Sequence, residues 1–147
     1  MNVDGSFLCP GSSGFGAVLR NDVGSLIAVV FSKSIVSSPI QAEAMAILNS
    51  LEVLSMYKEE DIELESDYQL LVQALDTGNL DLVSYANFLC MDIKLLTEDL
   101  AISFNHVNRS CNVVAHMLVK RGLKESGLFV QDPGWIQELT NQDLIKP

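Results

Sequence analysis

Asp61-Ile62-Glu63-Leu64-Glu65 runs through Ser66-Asp67 into Tyr68-Gln-Leu-Leu-Val-Gln-Ala-Leu75, and the change of period at that join decides the fold. The first part alternates apolar and charged residues, the period of a half-exposed strand. The second reads as a short helix from about Tyr68 to Leu75, stopping near Thr77-Gly78-Asn79. Upstream, Met1–Asp4, roughly Phe15–Arg20, and Leu26–Phe31 carry β-formers. Cys9-Pro-Gly-Ser-Ser-Gly14 and Asn21-Asp-Val-Gly24 separate them, which predicts a three-stranded antiparallel meander. Ser37-Ser38-Pro39 then offers a serine cap with proline at the first helical position. Ile40, Ala44, Ile47, Leu51 and Leu54 follow at helical spacing and predict an apolar stripe over about 40–57. Downstream, the pattern predicts a helix near Val83–Asp99, a strand over Ala101–Val107 and a helix over Asn112–Leu123. The tail from Gly127, with Pro133 and Trp135, reads as a short helix lying over the body. The order predicts a mixed α/β fold, with strands 1–3 antiparallel and the later strands parallel through β-α-β steps. One domain is expected over 1–126, with a tail over 127–147 packing on it or trailing from it.

The 147 residues are 48% hydrophobic, enough for one substantial core and too apolar for global disorder. Nineteen acids against nine bases give a net charge of −10, which disfavours indiscriminate binding to a polyanion. Nucleic acid stays open only where metal ions or a local basic patch neutralise its charge. Cys9, Cys90 and Cys111 lack zinc spacing and read as free, mostly buried thiols of a reducing compartment. No apolar run approaches the ~18 residues of a membrane span, and no leader precedes Asp4. The expectation is an intracellular chain, nuclear or cytoplasmic, that does not enter a membrane.

Carboxylates mark the candidate site. Asp4 closes an apolar opening and is followed by Gly5-Ser6, which also fits a turn aspartate. Glu43, at ~100° per residue, lies close to Ile40, Ile47 and Leu54, where a charge needs a partner or a metal. Asp67 sits where a strand gives way to a helix, a position that suits a helix cap or a ligand. His106 ends a strand and suits either a hydrogen-bonded or a proton-carrying role. Asn112 and His116, four apart, share a helix face. Lys120, Arg121 and Lys124, with Arg109 upstream, form the one compact basic group. They suit either a phosphate backbone or a solvated helix end.

Asn2-Val-Asp-Gly-Ser6, Gln41-Ala-Glu-Ala44, Glu65-Ser-Asp67, Phe104-Asn-His-Val107 and Asn112-Val-Val-Ala-His116 occur in order across the chain. Together they resemble a type-1 ribonuclease H domain, and most closely the reverse-transcriptase-like ribonuclease H domains of plants related to non-LTR retroelements. Gly16-Ala-Val-Leu-Arg20, Gly24 and the region of Trp135 share that likeness. The resemblance implies a five-stranded mixed sheet flanked by helices and metal-dependent hydrolysis of the RNA strand of RNA–DNA hybrids. It implies Asp4, Glu43 and Asp67 as ligands of two divalent ions, magnesium with manganese as a substitute. It implies His106 as a proton carrier and Asn112, Arg109, Lys120 and Arg121 near the substrate.

Three features depart from the family pattern. His116 stands where the family's Asn-x-x-Ala-Asp carries a fourth carboxylate, so a second ion is expected to be held less well. Only three residues precede Asp4, which is expected to leave it less firmly placed. No basic insertion lies between Leu75 and Val83. The alternative reading is a catalytically inactive module of the same fold kept for protein interaction or regulation, with a protein partner that the sequence does not name.

Overall fold

The computed structural model describes residues 1–54, 56, 61–130 and 135–136. The strand-forming first third becomes an antiparallel meander of β1 (Asn2–Cys9), β2 (Ser12–Arg20) and β3 (Leu26–Lys33). Helix α1 (Pro39–Leu54) crosses back to β4 (Ile62–Ser66), and α2 (Gln69–Thr77) follows directly. A 3-10 segment (Leu80–Ala86) leads into α3 (Asn87–Leu96) and β5 (Ile102–His106). A 3-10 turn over Arg109–Cys111 precedes α4 (Val113–Gly122), and β6 (Gly127–Phe129) follows it. The six strands form one mixed sheet in the order β5-β4-β1-β2-β3-β6. β1 pairs parallel with β4, and β4 with β5.

Period-2 alternation explains the two cores. Val3, Ala17, Leu19, Ala28 and Val30 face a large cluster completed by α1, α2 and α3. Val18, Val29 and Phe31 face the other way and meet Val114 and Leu118 of α4, with Ile136. β2 and β3 are therefore buried on both sides. At the start of α1, Ser38 Oγ accepts from the Gln41 amide at 3.3 Å, while Gln41 Oε1 accepts from the Ser37 amide at 3.0 Å. This is a capping-box arrangement displaced by one residue.

Several sequence expectations are corrected. Gly5-Ser6 is not a turn, because β1 continues to Cys9 and Asp4 lies in its interior. Nor is Asp4 loosely placed. The Met1 amino group donates to the Glu63 carbonyl at 2.7 Å, and β1 is bracketed by β2 and β4. The long helix expected over 83–99 is broken at Val83 (φ −133°, ψ 51°), and α3 begins only at Asn87. The break lets Val83 and Ala86 both enter the core, and the Tyr85 carbonyl accepts from Gln41 Nε2 at 3.1 Å instead. The sheet gains a sixth strand from the start of the tail, with Leu128 opposite Val30. The helix expected further along the tail falls largely outside the described residues. Among the cysteines only Cys90 is buried, which pushes its thiol up to about 11, whereas Cys9 is exposed. Among the described residues, no helix is long and apolar enough to cross a membrane.

Candidate active site

Two glycines allow two helices to converge on Asp4. Gly5 faces α1, and a Cβ there would sit 2.3 Å from the Ala42 carbonyl oxygen and 3.0 Å from the Glu43 nitrogen. Only a residue without a side chain lets α1 lie this close, and the close approach puts Glu43 beside Asp4. Gly16, opposite Asp4 in the β1–β2 register, does the same for α4. A Cβ at Gly16 would lie 2.5 Å from Leu118 Cβ and 2.7 Å from the Val119 nitrogen. Through that approach α4 carries His116 over the site, with His116 Nδ1 3.0 Å from Asp4 Oδ2.

Asp67 arrives from the end of β4. It does not cap α2, since Ser66 Oγ accepts from the Tyr68 amide at 3.1 Å. Its carboxylate instead faces Arg109, with Nε 3.6 Å from Oδ2. One oxygen each from Asp4, Glu43 and Asp67 lies within 4.8 Å of the others. They border an open cleft of about 480 Å³, whose lining also includes Phe7, Tyr68, His106, Arg109 and His116. His106 ends β5 opposite Ser66 and is exposed at the rim. The Arg109 side chain is 86% exposed.

Burial dominates the electrostatics. Glu43 is 7% exposed and Asp4 4%. Burial, then the Asp4 charge, the hydrogen bond Glu43 gives Asp4 and the Asp67 charge hold the Glu43 carboxyl well above its usual range. The Gly5 amide opposes this by donating to Glu43. Burial also raises Asp4, against hydrogen bonds from His116 and Glu43. Burial and the neighbouring acids thus favour the protonated form of Glu43, which hydrogen-bonds to Asp4. Glu43 Oε2 is buried with no hydrogen-bond partner among the described residues. Clustered hard oxygens, one of them orphaned, are a donor set that fits a magnesium-like divalent ion. Imidazole is a poorer magnesium ligand, and His116 Nδ1 is directed at Asp4 Oδ2.

The remaining sequence candidates lie elsewhere. Asn112 is fully buried, donating from Nδ2 to the Val3 carbonyl at 2.9 Å and accepting from Asn2 Nδ2 at 3.1 Å. It staples the start of α4 to β1 and does not line the cleft. Arg121 pairs with Glu125 at 2.8 Å, and its guanidinium lies 4.0 Å from the Trp135 ring centroid. Lys120 is exposed on the same last turn, also off the cleft lining. Sequence reasoning missed the roles of Gly5 and Asn2. A glycine following an aspartate among strand-formers reads as a turn until a helix is seen lying against it.

A β1–β3 meander, helices on both faces and carboxylates at the sheet's parallel half define a ribonuclease H-like fold. Residues 2–122 match the model of the reverse transcriptase-like family, and the chain belongs to that family. Among solved structures, ribonuclease H1 from the halophilic archaeon Halobacterium salinarum is 29% identical, with a TM-score of 0.70 over 83% of this chain and 94% of that one. LC11 ribonuclease H1, isolated from compost by a metagenomic approach, was solved in complex with an RNA/DNA hybrid. It is 20% identical, with a TM-score of 0.72 over 83% of this chain and 94% of that one. The N-terminal ribonuclease H domain of a Mycobacterium tuberculosis protein is 21% identical, with a TM-score of 0.71 over 82% and 89%. At these identities the last two likenesses speak to the fold alone. No curated protein sequence matches the chain.

Proposed function

We propose that this chain binds RNA–DNA hybrid and hydrolyses its RNA strand in the cleft around Asp4, Glu43 and Asp67. The observation that carries the reading is the gathering of these three carboxylates, with Glu43 Oε2 buried and unpartnered among the described residues. Membership of the reverse transcriptase-like family and the hybrid complex of LC11 ribonuclease H1 support it. Asp4, Glu43 and Asp67 would hold magnesium, or manganese in its place, and two such ions would supply water activation and charge neutralisation at the leaving oxygen. The chain's own groups do the rest. Glu43 releases its proton when a cation enters, which removes the like-charge penalty among the three acids. Arg109, exposed beside Asp67, meets a backbone phosphate and holds the strand in register. His106, exposed at the rim, delivers a proton from its imidazole ring to the departing oxygen. Residues 1–126 would form the unit that carries the activity, with the sheet capped by the first residues of the 127–147 tail.

A fluorescent RNA–DNA hybrid tests the reading, with magnesium against chelator. Asp67→Asn keeps size and loses the charge, so cleavage is expected to fall by roughly a hundredfold or more while the melting temperature holds. Unchanged cleavage in Asp67→Asn would refute the site. A second reading, a catalytically inactive module of the same fold, is favoured by one contact: His116 Nδ1 lies 3.0 Å from Asp4 Oδ2, and both residues line the cleft. Calorimetric titration separates the two, because an inactive module need bind neither magnesium nor manganese at Asp4.

A further inference from the structure

Away from the cleft, α3 exposes an apolar stripe. Phe88 is 85% exposed, Leu95 68% and Met91 48%, and Tyr85, just before the helix, is 83% exposed. Positions 88, 91 and 95 fall within about 60° on one helical face, opposite the buried Cys90 and Ile93. Soluble monomers rarely leave such contiguous apolar surface without a partner. The charges around the stripe have a sign. Residues 76–100 hold five acids against one base. Exposed Asp81, Asp92, Glu98 and Asp99 are among the acids, and Asp92 lies beside Phe88 and Leu95 on the same face. Lys94 turns back to donate to the Leu75 carbonyl at 3.1 Å. An apolar surface whose own segment carries mostly acids repels a polyanion and attracts cations. Trp135 and Ile136 pack with the opposite sheet face, beside α4, so that part of the tail does not cover α3.

We propose that the exposed face of α3 docks a basic amphipathic helix of a protein partner. Phe88, Met91 and Leu95 span two helical turns, the spacing at which the apolar ridge of a second helix interdigitates. Lys and Arg flanking that ridge would then meet Asp92, Glu98 and Asp99. The inference stands independently of the hydrolytic reading.

The probes are two synthetic helical peptides with the same leucine ridge, one flanked by lysines and one by glutamates, and a single-stranded oligonucleotide. Labelled probes are titrated with the full chain and with the double variant Phe88→Ser/Leu95→Ser, which keeps every charge. The lysine peptide is expected to bind at least tenfold tighter than the glutamate peptide. The double variant is expected to lose at least tenfold of that binding, with hybrid cleavage and melting temperature unchanged. Equal binding of the lysine peptide to both proteins would show only general attraction to an acidic chain and overturn the proposal. So would tighter binding of the oligonucleotide, or a concentration-dependent dimer in sedimentation that the double variant abolishes. Should the double variant fail to fold, Asp92→Asn with backbone amide shift mapping replaces it. Lysine-peptide shifts confined to α3 and weakened by Asp92→Asn support docking, and shifts elsewhere refute it.

Discussion

Helices α1 and α4 lie on opposite faces of the sheet, and each reaches Asp4 over a glycine of the strands beneath it. What they deliver differs. α1 delivers Glu43, a carboxylate 7% exposed with one orphaned oxygen, whereas α4 delivers His116, an imidazole whose side chain is 47% exposed. The α1 side is dry, so a negative charge on Glu43 is costly there without a cation. The α4 side is half exposed and presents an imidazole in place of a carboxylate. The site is therefore lopsided, and on the proposed function a cation would be drawn to the side of Glu43 and Asp67 rather than to that of His116.

The largest effects are expected from closing the two glycine approaches one at a time. Gly5→Ala would drive a Cβ into the Ala42 carbonyl and push α1 outward. A loss of about 2–3 kcal/mol is expected in urea unfolding, together with loss of magnesium-dependent stabilisation as Glu43 parts from Asp4. Gly16→Ala should destabilise similarly but shift His116 instead, leaving the metal response in place. Equal loss of that response in both variants would show that α4 matters as much as α1.

A gentler change makes the two sides alike. His116→Asp places a fourth acid beside Asp4, so the metal-free chain should lose about 1 kcal/mol through repulsion. Magnesium should bind more tightly and restore the melting temperature, with about 2.7 kcal/mol recovered at a hundredfold excess over Kd. Manganese should gain less from this substitution, because it already tolerates imidazole. Calorimetry and melting curves with both ions check this, and no change in either would mean that position 116 is not part of a metal site.

The pH dependence isolates the buried side. Glu43 and Asp4 are both raised in the folded chain, first by burial. A raised acid favours folding while protonated. Its contribution is fully present below the ordinary value, 4.5 for Glu43, and is lost as pH rises through the folded value. The metal-free melting temperature should thus fall as pH climbs above about 4.5, and Glu43→Gln should flatten the slope. Magnesium should flatten it too, by replacing the proton. A slope unchanged in Glu43→Gln would place the titration elsewhere on this acidic chain.

The smallest effect concerns the other end of α4. Arg121 packs on Trp135 and pairs with Glu125, so Arg121→Ala should cost about 1 kcal/mol in thermal unfolding and leave hybrid affinity almost unchanged. A marked fall in hybrid affinity, with stability intact, would return Arg121 to the substrate.

The element order was legible because its signals are local. Alternation at Ile62 and Leu64, the stripe from Ile40 to Leu54 and the serine-proline start of α1 each depend on neighbours a few residues apart. The placement of Glu43 against apolar neighbours was legible for the same reason. Where tertiary packing overrode local pattern, the sequence misled: Val83 breaks a helical period to fill the core, and Leu128 joins the sheet through a partner nearly a hundred residues away. Asn112 shared a helix face with His116 in the sequence, yet one is fully buried against Val3 and the other lies over Asp4.

By itself, the sequence determined the α/β order, the acidic balance and a short set of candidate acids and histidines, since these follow from residue type and spacing. Only the tertiary structure decided which of them meet. Gly5 looks like a turn until α1 lies on it, and Asp4 looks like a frayed end until β2 and β4 bracket it. Convergence of Asp4, Glu43 and Asp67 depends on backbone separations across a sheet, and those are set by long-range packing that no local period encodes.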